Sequence, residues 1–137
     1  MEFFDRNSLD PGIFPNYDES NEFDYFRTRM GHTHDIRHVL IGFGTDVVGE
    51  VGVQAFDYAQ IRQPLPAAIM GIALIKSAFA RPELLGGIVR AIADGYRLGK
   101  RAKNLFCVDF EEYYDLPLEE ARQKLNIDPV NPKIQAA

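Results

Sequence analysis

The chain has 137 residues and a formal net charge of −5, with 46% hydrophobic and 26% charged residues. This size and composition are typical of one globular domain with a buried core. The negative charge argues against a nucleic-acid binder, which needs a dominant basic surface. The single cysteine, Cys107, excludes an internal disulfide and favours a reducing compartment.

The predicted organisation is one helical domain over residues 18–127, between an irregular arm (1–17) and a tail (128–137). The arm mixes aromatic residues with prolines and turn formers. We expect no signal peptide, because this end is acidic and is interrupted by Pro11 and Pro15. The longest uncharged apolar run, Gln63–Ile75, is too short to cross a bilayer. A peripheral membrane contact stays compatible with the sequence.

The first predicted helix, residues 18–41, contains the motif H-D-x-x-H in His34, Asp35 and His38. Imidazoles at i and i+4 lie about 40° apart around a helix and roughly 6 Å apart, so they can share one ion. Asp35 falls within about 100° of the same arc. The geometry is that of the zinc motif H-E-x-x-H, although iron, manganese or nickel also accept imidazole and carboxylate ligands.

A glutamate follows the second histidine after eleven residues, and its role depends on a turn. On one straight helix, Glu50 would lie about 18 Å from His38, which metal bonds of about 2 Å do not bridge. Gly42-Phe43-Gly44 predicts a turn, since glycine permits conformations that other residues avoid. We therefore predict a second helix over residues 45–62 and a metal site at the closed end of a helix hairpin.

The simpler interpretation of Glu50 is a solvated acidic face. On the second helix it shares one arc with Asp46, Gln54 and Asp57. Residue spacing alone leaves both interpretations open.

The next two predicted helices are apolar and then basic. Residues 67–80 are rich in Ala, Ile, Leu and Met, which indicates a mostly buried helix or one wall of an apolar groove. Residues 83–103 form the fourth predicted helix, with Arg97, Lys100 and Arg101 near its carbonyl end, where cations are favourable. The sharper alternative is a patch that binds phosphate or anionic lipid.

Aromatic residues in the connection 105–115 should pack on the bundle, and a last helix is predicted over residues 118–126. No period-2 strand and no internal repeat is visible. The predicted fold is an all-α bundle of about five helices.

Three stretches resemble the coenzyme Q (ubiquinone) biosynthesis family commonly called Coq-four. They are GHTHDIRHVLIGFGTDVVGEVGVQAF (31–56), GYRLGKRAKNL (95–105) and DFEEYYDLPLEEARQKLNI (109–127). The likeness covers residues 25–127, and the spacing H-D-x2-H-x11-E together with the last stretch is specific. Two departures stand out. Phe110 replaces the usual tryptophan, and the region before the motif is shorter than in longer members.

The resemblance implies a helical bundle in which His34, Asp35, His38 and Glu50 are both the metal ligands and the catalytic positions. The metal would be a divalent ion, zinc first, with iron, manganese or magnesium as alternatives. The implied reaction is removal of the ring carboxyl group of a polyprenylated hydroxybenzoate, with oxidation at the vacated carbon, which is carbon-carbon lyase chemistry. Some members are better described as scaffolds that bind prenyl lipid.

The resemblance also implies partners and a location. Homodimers and contacts with other quinone-biosynthesis enzymes are expected. So is peripheral membrane association, on the cytoplasmic side or, in a eukaryote, on the matrix side of the mitochondrial inner membrane. The apolar helices would hold the isoprenoid tail, whose burial contributes about 0.8 kcal/mol per CH2. The candidate lipid contacts are Met70, Leu74, Phe79 and Ile88.

Two further alternatives follow from the motif alone. Metal phosphohydrolases of the HD type share the adjacent His-Asp, but they usually require more His and Asp ligands on other helices. The remaining histidine, His32, points about 160° from His34 on the helical wheel. The other alternative is purely structural, with packed core histidines and a solvated Glu50.

Overall fold

Residues 22–131 of the computed structural model are described here, and they contain five α-helices. These are α1 (Glu22–Ile41), α2 (Val47–Ile61), α3 (Pro64–Ala80), α4 (Leu85–Arg101) and α5 (Leu118–Lys124), with 3-10 turns at Pro82–Leu84, Leu105–Cys107 and Phe110–Tyr113. No strand occurs within this range. The predicted all-α bundle is confirmed. The predicted arm 1–17 and the last six residues of the predicted tail lie outside the described residues.

The helix ends follow local chemistry. The α2 helix begins after Asp46, whose carboxylate Oδ1 accepts a hydrogen bond from the backbone N–H of Gly49 at 2.7 Å. The α3 helix begins at Pro64, three residues before the predicted start, because the fixed φ of proline suits a first turn. The fourth predicted helix is divided in two, since a 3-10 turn precedes α4.

The α2 and α4 helices pack closely along a line of small residues. A Cβ atom added to Gly95 would lie 2.1 Å from the carbonyl oxygen of Gly52, and one added to Gly99 would lie 2.6 Å from that of Phe56. From the first contact to the second, the position moves four residues forward on both helices, so α2 and α4 are parallel. The amide of Gln60 joins their ends by donating to the Lys103 carbonyl at 2.8 Å. Because Glu50 lies on α2, this helix pair determines the position of Glu50.

The hydrophobic core joins this pair to α1 and to the segment that follows α4. Its buried members include Ile41, Phe56, Leu105, Phe110 and Leu125. Phe110 is 3% exposed, so its aromatic ring fills a core position. The prediction that aromatic residues of this connection pack on the bundle is confirmed.

The prediction that the apolar third helix is mostly buried is wrong. Pro66 and Ser77 are its only buried residues, and the Phe79 side chain is 89% exposed. The helix contacts α2 and α4 along one narrow side, so most of its apolar surface faces outward. Among the residues described, no helix combines the length and the apolar character that crossing a membrane requires.

Candidate metal centre

The turn between α1 and α2 forms as the glycines predict. Gly42 has φ = +75°, in the left-handed region, and its N–H donates to the His38 carbonyl at 2.9 Å. A Cβ atom on Gly49 would lie 1.8 Å from the carbonyl oxygen of Gly44, so the turn packs directly on the first turn of α2. This close return brings Glu50 to the end of α1.

Three side chains converge where the two helices meet. The His34 Nε2 atom lies 3.3 Å from Glu50 Oε2, the His38 Nε2 atom lies 3.2 Å from Glu50 Oε1, and the two Nε2 atoms are 3.2 Å apart. Two donor atoms bound tetrahedrally to one zinc ion at about 2.0–2.1 Å lie about 3.3 Å from each other. Two imidazoles and one carboxylate therefore have both the chemistry and the spacing of a divalent-metal site.

The turn also orients one of the imidazoles. His38 Nδ1 donates to the carbonyl oxygen of Phe43 at 3.1 Å, which leaves the lone pair of Nε2 directed at the cluster. The ring of Phe43 in turn lies against Gly52, where any Cβ atom would be 2.4 Å from it. The backbone of the turn thus selects the tautomer that can bind a metal.

The electrostatics favour a neutral, metal-competent imidazole at His34. Burial lowers the pKa of His34, and the electrostatic effects of the neighbouring His38 and Arg37 lower it further, against the opposing effects of Glu50 and Asp35. The cluster is closed on one side and open on the other, because the His38 side chain is 5% exposed and that of Glu50 is 42% exposed. An open side is where a catalytic metal site receives its substrate.

The fourth predicted ligand does not join this cluster. Asp35 is exposed, and the residues whose donor atoms all lie within 4.8 Å of one another are His34, His38 and Glu50. That trio is the one such group among the side chains that the structure describes, which are those of residues 30–131 other than His32. Among these side chains, the additional ligands that an HD-type phosphohydrolase usually requires do not join the trio.

Sequence reasoning missed a buried ion pair beside the cluster. Asp57 is 1% exposed, so it does not belong to a solvated acidic face, and its Oδ1 lies 3.2 Å from Arg37 Nε. Burial raises the pKa of Asp57 to about 6, against the lowering effects of Arg37 and His38. The sequence carried no local signal for this pair, because the spacing of Asp57 from Glu50 is equally that of a solvated acidic face.

The four predicted lipid contacts differ in their exposure. Met70 and Leu74 are half-buried on α3, Phe79 is almost fully exposed, and Ile88 is completely buried in α4. Ile88 is therefore a core residue, whereas Phe79 lies on the outer surface.

The predicted phosphate or anionic-lipid residues are all exposed on the last turns of α4. Arg97 and Arg101 line an open cleft of about 270 Å³ whose other wall is the segment 126–130. Arg97 also forms an ion pair with Asp94, while Lys100 does not line this cleft.

Comparisons with known proteins identify the family of this chain. The family described as "Coenzyme Q (ubiquinone) biosynthesis protein Coq4" matches residues 1–131. The mitochondrial ubiquinone biosynthesis protein COQ4 homologue of Danio rerio is 31% identical over 132 residues, which are 93% of this chain and 47% of that protein. The homologue of Aedes aegypti is 32% identical over 108 residues, 78% of this chain and 38% of that protein.

A solved structure gives the same result for the fold. The crystal structure of a Nostoc punctiforme protein assigned to ubiquinone biosynthesis superposes with a TM-score of 0.77 at 27% identity, covering 83% of this chain and 56% of that one. The chain spans about half the length of the curated relatives that it matches. It belongs to the coenzyme Q (ubiquinone) biosynthesis protein family Coq4.

Proposed function

We propose that this Coq4-family chain binds a divalent metal through His34, His38 and Glu50 and uses it in the decarboxylation of a polyprenylated hydroxybenzoate, in which a proton replaces the carboxyl group on the ring and CO2 leaves. The observation that carries the proposal is the spacing of 3.2–3.3 Å among the three pairs of donor atoms. Zinc is the preferred candidate for the metal, and iron, manganese and magnesium are the alternatives. When bound, it would act as a Lewis acid toward the ring carboxylate or phenolate.

The residues of the chain have separate roles in this proposal. The two imidazoles supply neutral ligands, and the turn carbonyl of Phe43 holds His38 in the required tautomer. The half-exposed Glu50 supplies a negative charge and faces the open side from which a substrate carboxylate would arrive. Asp35 lies outside the cluster. We propose that it acts on His34 through its negative charge and does not bind the metal.

The assay is conversion of a short-chain prenylated hydroxybenzoate under oxygen, with the product identified by mass spectrometry. We expect the wild-type chain loaded with metal to release CO2 and form the decarboxylated ring, and His38→Ala to lose both bound metal and product. The control is Cys107→Ser, because Cys107 is exposed and does not belong to the ligand cluster. Turnover by His38→Ala equal to wild type, with no bound metal, would sink the catalytic assignment.

The second candidate function is a prenyl-lipid-binding scaffold for other quinone-biosynthesis enzymes, and the surface of α3 favours it. Large apolar side chains stand exposed there and on the neighbouring part of α4: Leu65, Ile72, Ile75, Phe79 and Val89. Several large apolar side chains exposed along one helix are typical of an interaction site. In this role the metal would fix the helix hairpin, and the chain would bind lipid without turnover.

The charges around this surface favour a peripheral membrane contact. Residues 62–103 hold eight Lys or Arg and two Asp or Glu, a net charge of +6 in a chain whose total is −5. Each basic residue near an anionic leaflet contributes about 1 kcal/mol. We propose that α3 rests on the membrane and that Arg97, Lys100 and Arg101 bind lipid phosphates. The alternative occupant of the exposed apolar surface of α3 is a second copy of the chain, which would form a homodimer.

Ile75→Ser/Phe79→Ser should weaken binding to vesicles of anionic phospholipid by about tenfold or more, because burial of each large side chain contributes about 1.5–3 kcal/mol. The unfolding midpoint should stay unchanged, since both residues are exposed. Vesicle co-sedimentation measures the binding. Cys107→Ser, a change of an exposed residue that lies on neither α3 nor α4, is the control. Equal binding by all three proteins contradicts the membrane proposal, and loss of a dimer in the double variant assigns the surface to dimerisation.

A further inference from the structure

The buried ion pair between α1 and α2 has no role in the proposed chemistry, and its position suggests one. Arg37 is adjacent to His38 in the chain, and Asp57 lies two helical turns after Glu50 on α2. Both charged side chains are 2% exposed, and Arg37 Nε lies 3.2 Å from Asp57 Oδ1. Each helix of the hairpin therefore carries one partner of the pair and part of the metal cluster.

The guanidinium of Arg37 is held in a fixed place. Its Nη1 donates to the Thr33 hydroxyl at 3.0 Å and its Nη2 donates to the Met30 carbonyl at 3.1 Å, both within α1. The ring of Phe106 lies against its flat face, with the guanidinium carbon 4.9 Å from the ring centroid. A fixed cation on α1 determines where the carboxylate of Asp57, and with it α2, must sit.

The pair is not arranged for the greatest stability. Arg37 Nε and Asp57 Oδ1 are close, but their angles miss those of a hydrogen bond, and each buried atom lacks a hydrogen-bond partner. Removing two charges from water is costly, so an apolar pair of similar volume is often neutral or stabilising in such a place. A buried ion pair of this kind is better suited to selecting one arrangement of two helices than to stabilising it.

The turn of residues 42–44 fixes one end of this arrangement, and the ion pair is a further contact between the two helices. Among the residues described, the α1 and α2 helices touch far less than α2 and α4 do. A rotation or a slide of α1 by a few ångströms would separate Glu50 from the two imidazoles. The cluster tolerates no such shift, since its three distances already match those of one bound ion.

We propose that Arg37 and Asp57 are a positioning pair, which sets the register of α1 on α2 and so holds Glu50 within reach of His34 and His38. This inference rests on the proposed metal binding and concerns the residues that shape the site. Groups that orient metal ligands commonly change metal affinity by about 10–100-fold when they are replaced.

The test separates positioning from stability by replacing both charges at once. In Arg37→Met/Asp57→Leu, we expect urea unfolding in EDTA at the wild-type midpoint or above it. The dissociation constant for Zn²⁺ should nevertheless rise by about tenfold or more. The visible spectrum of the Co²⁺-loaded variant should also change, because the ligand geometry is altered. The matched control is Arg81→Met/Glu83→Leu, which removes an exposed ion pair and should leave all three measurements unchanged.

The possible results distinguish the positioning role of Arg37 and Asp57 from the proposed metal binding. A stable double variant with wild-type Zn²⁺ affinity and Co²⁺ spectrum overturns the positioning role and leaves the proposed function intact. A wild-type chain that binds no metal overturns both. If the double variant does not fold, Asp57→Asn keeps the side-chain volume, and its folded protein should bind Zn²⁺ more weakly than wild type. Unchanged affinity in that variant overturns the positioning role equally.

Discussion

Glu50→Gln should weaken Zn²⁺ binding by about a hundredfold, a loss of about 2.7 kcal/mol, while the fold is kept. The carboxylate is the one anionic member of the cluster, and a neutral amide is a much poorer zinc ligand. The side chain is 42% exposed, so the metal-free protein should lose less than about 0.5 kcal/mol of stability. Competition with a chromophoric chelator measures the affinity, and urea unfolding in EDTA measures the stability.

The control for this change is Asp35→Asn, which removes the neighbouring exposed carboxylate outside the cluster. We expect a small loss of affinity, less than about threefold, or about 0.7 kcal/mol. Wild-type affinity in Glu50→Gln contradicts the assignment of Glu50. An equal loss in both variants shows instead that Asp35 is a fourth ligand, as the family resemblance implies.

Arg122→Ala should lower the free energy of unfolding by about 3–5 kcal/mol, the largest effect expected outside the metal site. Arg122 is 1% exposed, and its Nε and Nη2 donate to the carbonyls of Leu40 and Val39 at 3.0 and 2.8 Å. Its Nη1 donates to Glu119 Oε1 at 2.6 Å. Removing the side chain leaves two buried carbonyls and a cavity where α5 joins the end of α1.

Lys124→Ala is the matched control, because Lys124 lies on the same short helix and forms an exposed pair with Glu120. Such pairs contribute about 0–1 kcal/mol. Urea unfolding in EDTA at pH 7 compares the two variants with wild type. A loss below about 1 kcal/mol in Arg122→Ala would contradict the role of Arg122 as the anchor of α5.

Local patterns predicted the part of the metal site that depends on short-range geometry. His34 and His38 stand together because a helix places i and i+4 on one face, and the sequence predicts that without tertiary knowledge. The position of Glu50 required a turn, and the glycines predicted it because the positive φ of Gly42 is one that other residues seldom adopt.

Long-range partners could not be predicted in this way. On the helical wheel, Asp57 was assigned to a solvated arc, because no local pattern reveals that Arg37 of another helix covers it. Arg122 bonds to carbonyls 82 and 83 residues earlier in the chain, a separation that periodicity does not address. The exposure of α3 was missed for a related reason: apolar composition predicts that a surface will be covered, and a membrane or a partner can cover it as well as the core can.

X-ray absorption spectroscopy of the Zn²⁺-loaded chain tests the central claim most directly. One equivalent of zinc should show two imidazole nitrogens at about 2.0–2.1 Å and oxygen ligands at about 2.0–2.2 Å, without a sulfur ligand. The imidazole signal should fall to one ring in His34→Ala. Zinc that is bound without imidazole, or an imidazole signal unchanged by this substitution, would contradict the claim that His34, His38 and Glu50 form the metal centre.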